Sequence, residues 1–318
     1  MMLEVRDLRV TFKMQADEVQ AVRGVSWHLD DQETIAIVGE SGCGKTASIQ
    51  TVMGLHAGSR NCVKSGEAIY KGENLLEKTE KEMRSVQGKE MSIIFQDPFT
   101  YLNPTMTVGR QITEVYCRHT KASRSEATQK TLEIMRMISM PTPEQSLKCY
   151  PHQLSGGMRQ RVVIAMALVC KPKILFADEP TTALDVTIQA QIIELIKDLK
   201  KKTAMSIALI THDLGVVANM ADRVYVMYAG KIVEHGTARD IFKDPRHPYT
   251  AGLLGSVPRL DIRSSGSLYS IPGTPPDLLA PPPGCAFAAR CPKAMKICAR
   301  KEPGFTEFGN GHRSSCWL

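Results

Sequence analysis

Aromatic residues are scarce: Phe, Trp and Tyr make up 6% of the 318 residues. Long apolar runs are missing as well. The longest lies near Val162–Cys170, well short of the roughly 18 residues that a membrane span needs, so no transmembrane helix is expected. The N-terminus, MMLEVRDLRV, mixes charge with apolar residues and has no secretory h-region. A cytoplasmic location is therefore expected. No internal repeat and no sustained heptad pattern is present. Among nine cysteines no two stand at the C-x2–4-C spacing usual for structural zinc. In a chain without an export signal they are expected as free thiols rather than disulfides. Cys43, Cys62, Cys117, Cys149 and Cys170 read as small apolar fillers.

The chain has room for about two domains and a full core. Its net charge of +7 is modest and uneven. From Cys285 onward six basic residues face two acidic ones. Such a tail fits a solvated surface, a nucleic acid or an anionic lipid.

The most informative stretch is Thr34–Thr46, TIAIVGESGCGKT. Ile35, Ala36, Ile37 and Val38 form an unbroken apolar run, as in a strand buried on both faces. Gly39-Glu40-Ser41-Gly42-Cys43-Gly44-Lys45-Thr46 then fits G-x-x-x-x-G-K-[ST] without a mismatch. Glycines let the backbone wrap a polyphosphate with its N–H groups turned inward. Lys45 is placed to reach the β- and γ-phosphates and Thr46 to offer its hydroxyl to Mg²⁺. A helix over 46–55 adds its positive end. Cys43 reads as a small residue in place of serine. The competing reading is a redox thiol with a lowered pKa at a helix start.

Leu8, Val10 and Phe12 alternate, which predicts a strand over Leu3–Phe12. Phe12 has two readings, a stacking partner for adenine or a core residue. Further strands are expected at Val22–Leu29, Glu67–Tyr70, Met91–Phe95, Ile174–Ala177 and Ser206–Thr211. A hairpin is expected over Arg223–Tyr228 and Lys231–Glu234. Helices are expected over Lys78–Gln87, within Met106–Met140 (including Arg124–Met137), from just after Gly157 to Cys170, and over Ile188–Lys200. Residues 244–284, rich in Pro, Gly and Ser, read as an extended connection with little core of their own.

Asp178 ends an apolar strand, where a carboxylate would hold Mg²⁺ against the β- and γ-phosphates. Glu179 follows, placed to orient and deprotonate an attacking water. Ser155-Gly156-Gly157 at a helix start forms a second anion site, with free N–H groups, a hydroxyl and a dipole.

Leu154-Ser155-Gly156-Gly157-Met158 resembles the signature motif of ABC transporter ATPases, with Met158 where glutamine is commoner. Gln96 is similar to their Q-loop glutamine, Ala183-Leu184-Asp185 to the D-loop and His212 to the switch histidine. The motifs keep the family's order over about residues 3–240. The likeness is closer still to the ATP-binding subunits of dipeptide/oligopeptide importers. It rests on Phe95-Gln96-Asp97-Pro98, Leu102-Asn103-Pro104, Asp178–Thr187 and His247-Pro248-Tyr249-Thr250.

The resemblance implies an α/β fold: a P-loop ABC ATPase domain with a RecA-like core, an antiparallel β subdomain and a helical subdomain, plus a small Cys-rich C-terminal extension. Boundaries are expected at 1–243 for the ATPase, with the helical part at about 97–165, and 244–318 for the extension. It also implies ATP and Mg²⁺ as ligands. Phe12, Gly39, Ser41, Gly42, Cys43, Gly44, Lys45, Thr46, Gln96, Ser155, Gly156, Gly157, Asp178 and Asp185 would contact nucleotide, with Thr46, Gln96 and Asp178 at the metal and Glu179, His212 and Gln96 in catalysis. Two cassettes would pair head to tail, each ATP lying between one chain's phosphate loop and the other's signature helix. The implied partners are a paralogous ATPase (a heterodimer), two membrane permease subunits and an extracytoplasmic peptide-binding protein, with this chain peripheral on the cytoplasmic face. Nickel or another small solute is the alternative cargo. A soluble nucleic-acid-associated ABC ATPase is a weaker reading, because there is one cassette and no long coiled coil, and no nucleic acid is expected. The complete Asp178/Glu179/His212 set argues against a cluster protein that merely binds nucleotide.

Cys285, Cys291, Cys298 and Cys316 lie within the last 34 residues. Four thiolates suit an iron–sulfur cluster, and some of the resembling ATPases carry a [4Fe–4S] cluster on such a tail. Zn²⁺ and ordinary thiols are the alternatives. Arg290, Lys293 and Lys296 would then offset thiolate charge, and His312 reads as a surface residue, with replacement of one cysteine ligand as the alternative.

Overall fold

A computed structural model describes residues 1–15, 17–182, 184–256 and 270–318. In chain order the elements are β1 (Leu3–Lys13), β2 (Glu18–Leu29), β3 (Thr34–Val38), α1 (Lys45–Val52), β4 (Cys62–Tyr70), β5 (Glu73–Asn74), α2 (Glu80–Val86), β6 (Met91–Ile94), α3 (Pro98–Tyr101), α4 (Val108–His119), α5 (Arg124–Met137) and α6 (Pro143–Ser146). They continue with α7 (Gly156–Leu168), β7 (Ile174–Asp178), α8 (Val186–Thr203), β8 (Ser206–Thr211), α9 (Leu214–Met220), β9 (Arg223–Tyr228), β10 (Lys231–Thr237), α10 (Ala238–Lys243), α11 (Pro248–Gly255), β11 (Thr306–Glu307) and β12 (Arg313–Ser314). The chain divides into two compact units. One holds Met1–Asp30, Thr34–Glu77 and Ile210–Leu318, the other Asp31–Glu33 and Lys78–Leu209.

In the first unit, an antiparallel sheet runs in the order β2-β1-β4-β5. Leu3, Val5, Leu8 and Val10 of β1 are buried. The step from Val5 to Leu8 breaks strict alternation, because Asp7 takes φ 43° and the pairing with β2 shifts there. This bulge returns the apolar side chains to the same face. Phe12, counted in the same alternation from sequence, is only partly buried.

A second run of strands in this unit is ordered β11-β12-β10-β9-β3. All five residues of β3 are buried, as its unbroken apolar run predicts. It lies parallel to β9, Ile35 opposite Arg223 through Val38 opposite Val226. The β9–β10 hairpin turns at Ala229 (φ 47°) and Gly230 (φ 79°), the left-handed pair that a two-residue hairpin turn demands.

The core under this sheet corrects one expectation. Residues 244–284 are not merely an extended connection: Pro248–Gly255 is helical. Tyr249 and Ile271 are buried with Tyr228, Val226 and Phe287 in one cluster. Residues 257–269 of that stretch lie outside the described residues.

In the second unit β6 and β7 pair in parallel, Met91 with Ile174 through Ile94 with Ala177. Helices α4, α5 and α7 contact one another. Val108, Ile112, Ala127, Ile134, Met135 and Val162 are buried there. Ser123 starts α5 with a capping box: its hydroxyl accepts from the Glu126 N–H, and the Glu126 carboxylate accepts from the Ser123 N–H. No helix among the described residues is long and apolar enough to cross a membrane.

Candidate functional site

The phosphate loop joins β3 to α1. Its shape requires glycine at two points. A Cβ on Gly39 (φ 154°) would stand 2.1 Å from the Met227 carbonyl oxygen, and one on Gly44 (φ 98°) 2.1 Å from that of Ala21. Both obstacles are backbone, so neither can yield. Gly42 also has positive φ, 78°. Gly44 caps α1 with no side-chain bond. Lys45 is buried, and its Nζ donates to the carbonyls of Gly39 (2.8 Å) and Glu40 (2.9 Å). Among the described residues no carboxylate pairs with it. A buried ammonium answered only by two carbonyls and the Cys43 sulfur (3.8 Å) is chemically suited to an anion. The donors around this cradle thus fit a polyphosphate.

Cys43 is buried, and burial pushes its thiol pKa up. That opposes an activated thiol and favours the filler reading. Ser41 is exposed and Thr46 half-buried. Phe12 meets His56 edge-on, with ring centroids 5.2 Å apart. His212, at the end of β8, is exposed in the same unit.

The second unit holds the carboxylates. Asp178 is buried at the end of β7. Glu179 follows with φ 46°, a left-handed conformation that costs a residue with a Cβ about 1–2 kcal/mol. Gln96 Nε2 and Thr182 Oγ1 each donate to Glu179 Oε2, both at 2.9 Å. The turn out of the strand and the two donors together set the direction of this carboxylate. Gln96 and Glu179, 83 residues apart in sequence, are brought together as one pair. Thr182 was not singled out from sequence. Its position three residues after Glu179, in a turn, was the available signal.

Ser155 caps α7, its hydroxyl accepting from the Met158 N–H at 3.3 Å, and is exposed beside Gly156 and Gly157. Gln160, fully buried on α7, donates to the Pro180 carbonyl at 2.6 Å. It ties the signature helix to the turn that carries Glu179. Its sequence signal was helical spacing: it stands three and four residues before the buried Val163 and Ile164, on the same helix face. Asp185 caps α8, accepting from the Ile188 N–H at 3.0 Å. Ala183, part of the expected D-loop, lies outside the described residues.

The C-terminal segment departs from expectation in three ways. Arg290 does not offset thiolates: its side chain is 6% exposed and paired with Glu40 of the phosphate loop. His312 is no surface residue: it is buried, and its Nε2 lies 2.8 Å from Glu234 Oε1. Glu234, fully buried on β10, also accepts from the N–H groups of Arg246 (2.6 Å) and His247 (2.9 Å). The third concerns Cys285, Cys291, Cys298 and Cys316. All four are free and line one small cavity with Phe287, Lys293 and Trp317. Burial raises the thiol pKa of Cys285 and Cys291. Among the described residues no three of His, Cys, Asp or Glu are grouped to hold a single metal ion. The grouping expected for a metal centre on these four cysteines, cluster or Zn²⁺, is therefore not found among the described residues.

Comparison with known proteins agrees with this arrangement. The ABC transporter family matches residues 22–182, and the oligopeptide/dipeptide transporter C-terminal region matches residues 233–298. The chain is 56% identical to the dipeptide transport ATP-binding protein DppD of Bacillus subtilis, covering 99% of this chain and 94% of that protein. It is 48% identical to the oligopeptide transport ATP-binding protein OppD of Escherichia coli, over 99% and 93%. A solved dimeric structure of a bacterial ABC transporter cassette superimposes with a TM-score of 0.67 at 26% identity, covering 75% of this chain and 99% of that one. The phosphate loop, the held Glu179 and these matches together place the chain in the ABC transporter ATPase family, in the branch with the oligopeptide/dipeptide transporter C-terminal region.

Proposed function

We propose that this chain is the ATP-binding and ATP-hydrolysing subunit of an importer for di- and oligopeptides, peripheral to the cytoplasmic face of the membrane. The observation that carries the reading is the Glu179 carboxylate, fixed at the end of β7 by Gln96 and Thr182, in a chain that also carries a complete phosphate loop. Relatives named for dipeptide and oligopeptide transport support the cargo.

Lys45 and the loop N–H groups bind the triphosphate, and Phe12 stacks on the base. Thr46, Gln96 and Asp178 would hold Mg²⁺, which would supply charge neutralisation at the phosphates. Glu179 takes the proton of the attacking water, and Gln96 aligns it. His212 contacts the γ-phosphate. Ser155, Gly156 and Gly157 close over the nucleotide of a paired cassette, and Asp185 stands at the seam. The pair is a heterodimer with a paralogous ATPase, on two permease subunits fed by a peptide-binding protein. Cys285, Cys291, Cys298 and Cys316 would hold a [4Fe–4S] cluster, which would staple a segment poor in apolar residues.

The test is reconstitution with the co-purifying membrane subunits and binding protein. Peptide-loaded binding protein is expected to stimulate ATP hydrolysis. Stimulation by a nickel-loaded protein instead would move the cargo to nickel. Salt-dependent binding of RNA or DNA, with no stimulation, would overturn the transport reading. Iron and sulfide assays on anaerobically purified protein are expected to find both, and colourless protein with stoichiometric zinc would reject the cluster.

A further inference from the structure

A loop built to hold a polyanion contains an acid. Glu40 is its second residue, and nothing in G-x-x-x-x-G-K-[ST] requires a carboxylate there. The structure shows how that charge is answered. Arg290 grips Glu40 with both ends of its fork, Nη1 to Oε2 at 2.6 Å and Nη2 to Oε1 at 3.0 Å. The fork is itself held, with Nε donating to the Pro272 carbonyl at 2.9 Å and Nη1 lying 3.3 Å from the Tyr228 hydroxyl. The Glu40 N–H donates to the Tyr249 hydroxyl at 2.9 Å, and the Glu40 carbonyl accepts from Lys45. Two of these three ties come from residues beyond 240, and all of the groups lie in one compact unit.

Arg290 ends the short turn Ala288–Arg290, directly before Cys291. Phe287, just before that turn, packs on Tyr228 and Tyr249 with ring centroids 5.3 Å apart in each case. The position of the guanidinium thus depends on the C-terminal segment being folded against β9 and α11. Arginine keeps its charge at every accessible pH, and a bidentate fork fixes a carboxylate in direction as well as in charge.

We propose that Arg290 is a positioning residue of the nucleotide site: it neutralises Glu40 and holds its carboxylate off the phosphate path, so that the folded C-terminal segment sets the affinity of the loop for polyphosphate. This rests on reading the loop as the ATP site. Without Arg290, a full negative charge is left in the loop. Its repulsion grows with the charge of the ligand, so ATP is weakened more than ADP. A purely structural Arg290 would lower the melting temperature without sorting ligands by charge.

The test measures Kd for MgATP and MgADP on the full-length chain in its complex, for wild type, R290M, E40Q and E40Q/R290M. For R290M we expect ATP affinity to fall about ten-fold and ADP affinity about three-fold, the size an unanswered charge gives at short range in a partly wet site. E40Q leaves the Arg290 charge unanswered and is expected to raise ATP affinity about three-fold, and E40Q/R290M, with neither charge, to return to within about two-fold of wild type. Wild-type ATP affinity in R290M would overturn the proposal, as would equal losses for ATP and ADP that E40Q does not recover. Should R290M not fold, R290K replaces it. That variant keeps the charge but loses the fork, and its expected loss is about three-fold for ATP, recovered in E40Q/R290K. Unchanged ATP affinity in R290K would then overturn the proposal. A wild-type complex that binds no nucleotide would remove the ATP reading itself, and this inference with it.

Discussion

The phosphate loop and the C-terminal segment belong to the same compact unit but keep their shape by different means. The loop is shaped by its backbone: glycines at positive φ, carbonyls on Lys45, and a strand behind it whose five residues are all buried. The C-terminal segment is shaped by a few side chains that each reach far along the chain. Arg290 reaches Glu40, His312 reaches Glu234, and Phe287 enters the core beside Tyr228. A backbone device tolerates most side-chain changes and no added Cβ at its tight points. A side-chain device fails when one anchor is removed.

Three substitutions sharpen that contrast. The largest effect is expected for E234A in the C-terminal seam. It leaves the N–H groups of Arg246 and His247 and the ring of His312 without their shared carboxylate. Breaking such a buried site costs about 3–5 kcal/mol, read as a lower midpoint in denaturant unfolding. A loss below about 1 kcal/mol, the range of an exposed pair, would show that the seam does not depend on this anchor. Next comes G44A in the loop. The added Cβ meets a backbone oxygen at 2.1 Å in a left-handed conformation, which is expected to cost about 3 kcal/mol and to abolish nucleotide binding. Retained MgATP binding by G44A would break the comparison from the other side.

The smallest effect concerns pH. His235 on β10 lies opposite Arg313 of β12, where the C-terminal segment joins the sheet. Burial, helped by Arg313, Arg223, His28 and His312, pushes its pKa down to about 4. The unfolded chain therefore takes up this proton near pH 6.5, while the folded protein resists it down to about 4. Stability from this group is full above pH 6.5 and is lost as pH falls toward about 4. Between pH 7 and pH 5 the loss is about 1–2 kcal/mol after discounting for partial exposure. H235Q is expected to remove that part of the acid sensitivity. An unchanged pH–stability curve for H235Q would assign the sensitivity elsewhere.

The same contrast explains what could be read from the chain alone. The phosphate loop, β3, β8 and α5 were legible because their signals are local: an unbroken apolar run, a glycine pattern, a capping Ser123 with Glu126 three residues on. The motif residues Gln96, Ser155, Asp178, Glu179 and His212 were legible through order along the chain. Legibility failed where partners lie far apart. Nothing near Arg290 points to Glu40, nor near His312 to Glu234, because charge pairing over 250 or 78 residues leaves no periodicity. Four helices were missed that did carry local signals: Pro143 opens α6, Asp213 caps α9, Thr237 with Asp240 forms a capping box before α10, and Pro248 opens α11. For α11 the many prolines and glycines of 244–284 outweighed that signal.

The central claim is that Glu179 activates the water that attacks ATP bound at the phosphate loop. The most direct measurement is steady-state ATP hydrolysis by E179Q in the assembled complex, beside its MgATP affinity. Near-wild-type binding is expected, with turnover reduced about 100-fold or more. Hydrolysis by E179Q at the wild-type rate would contradict it.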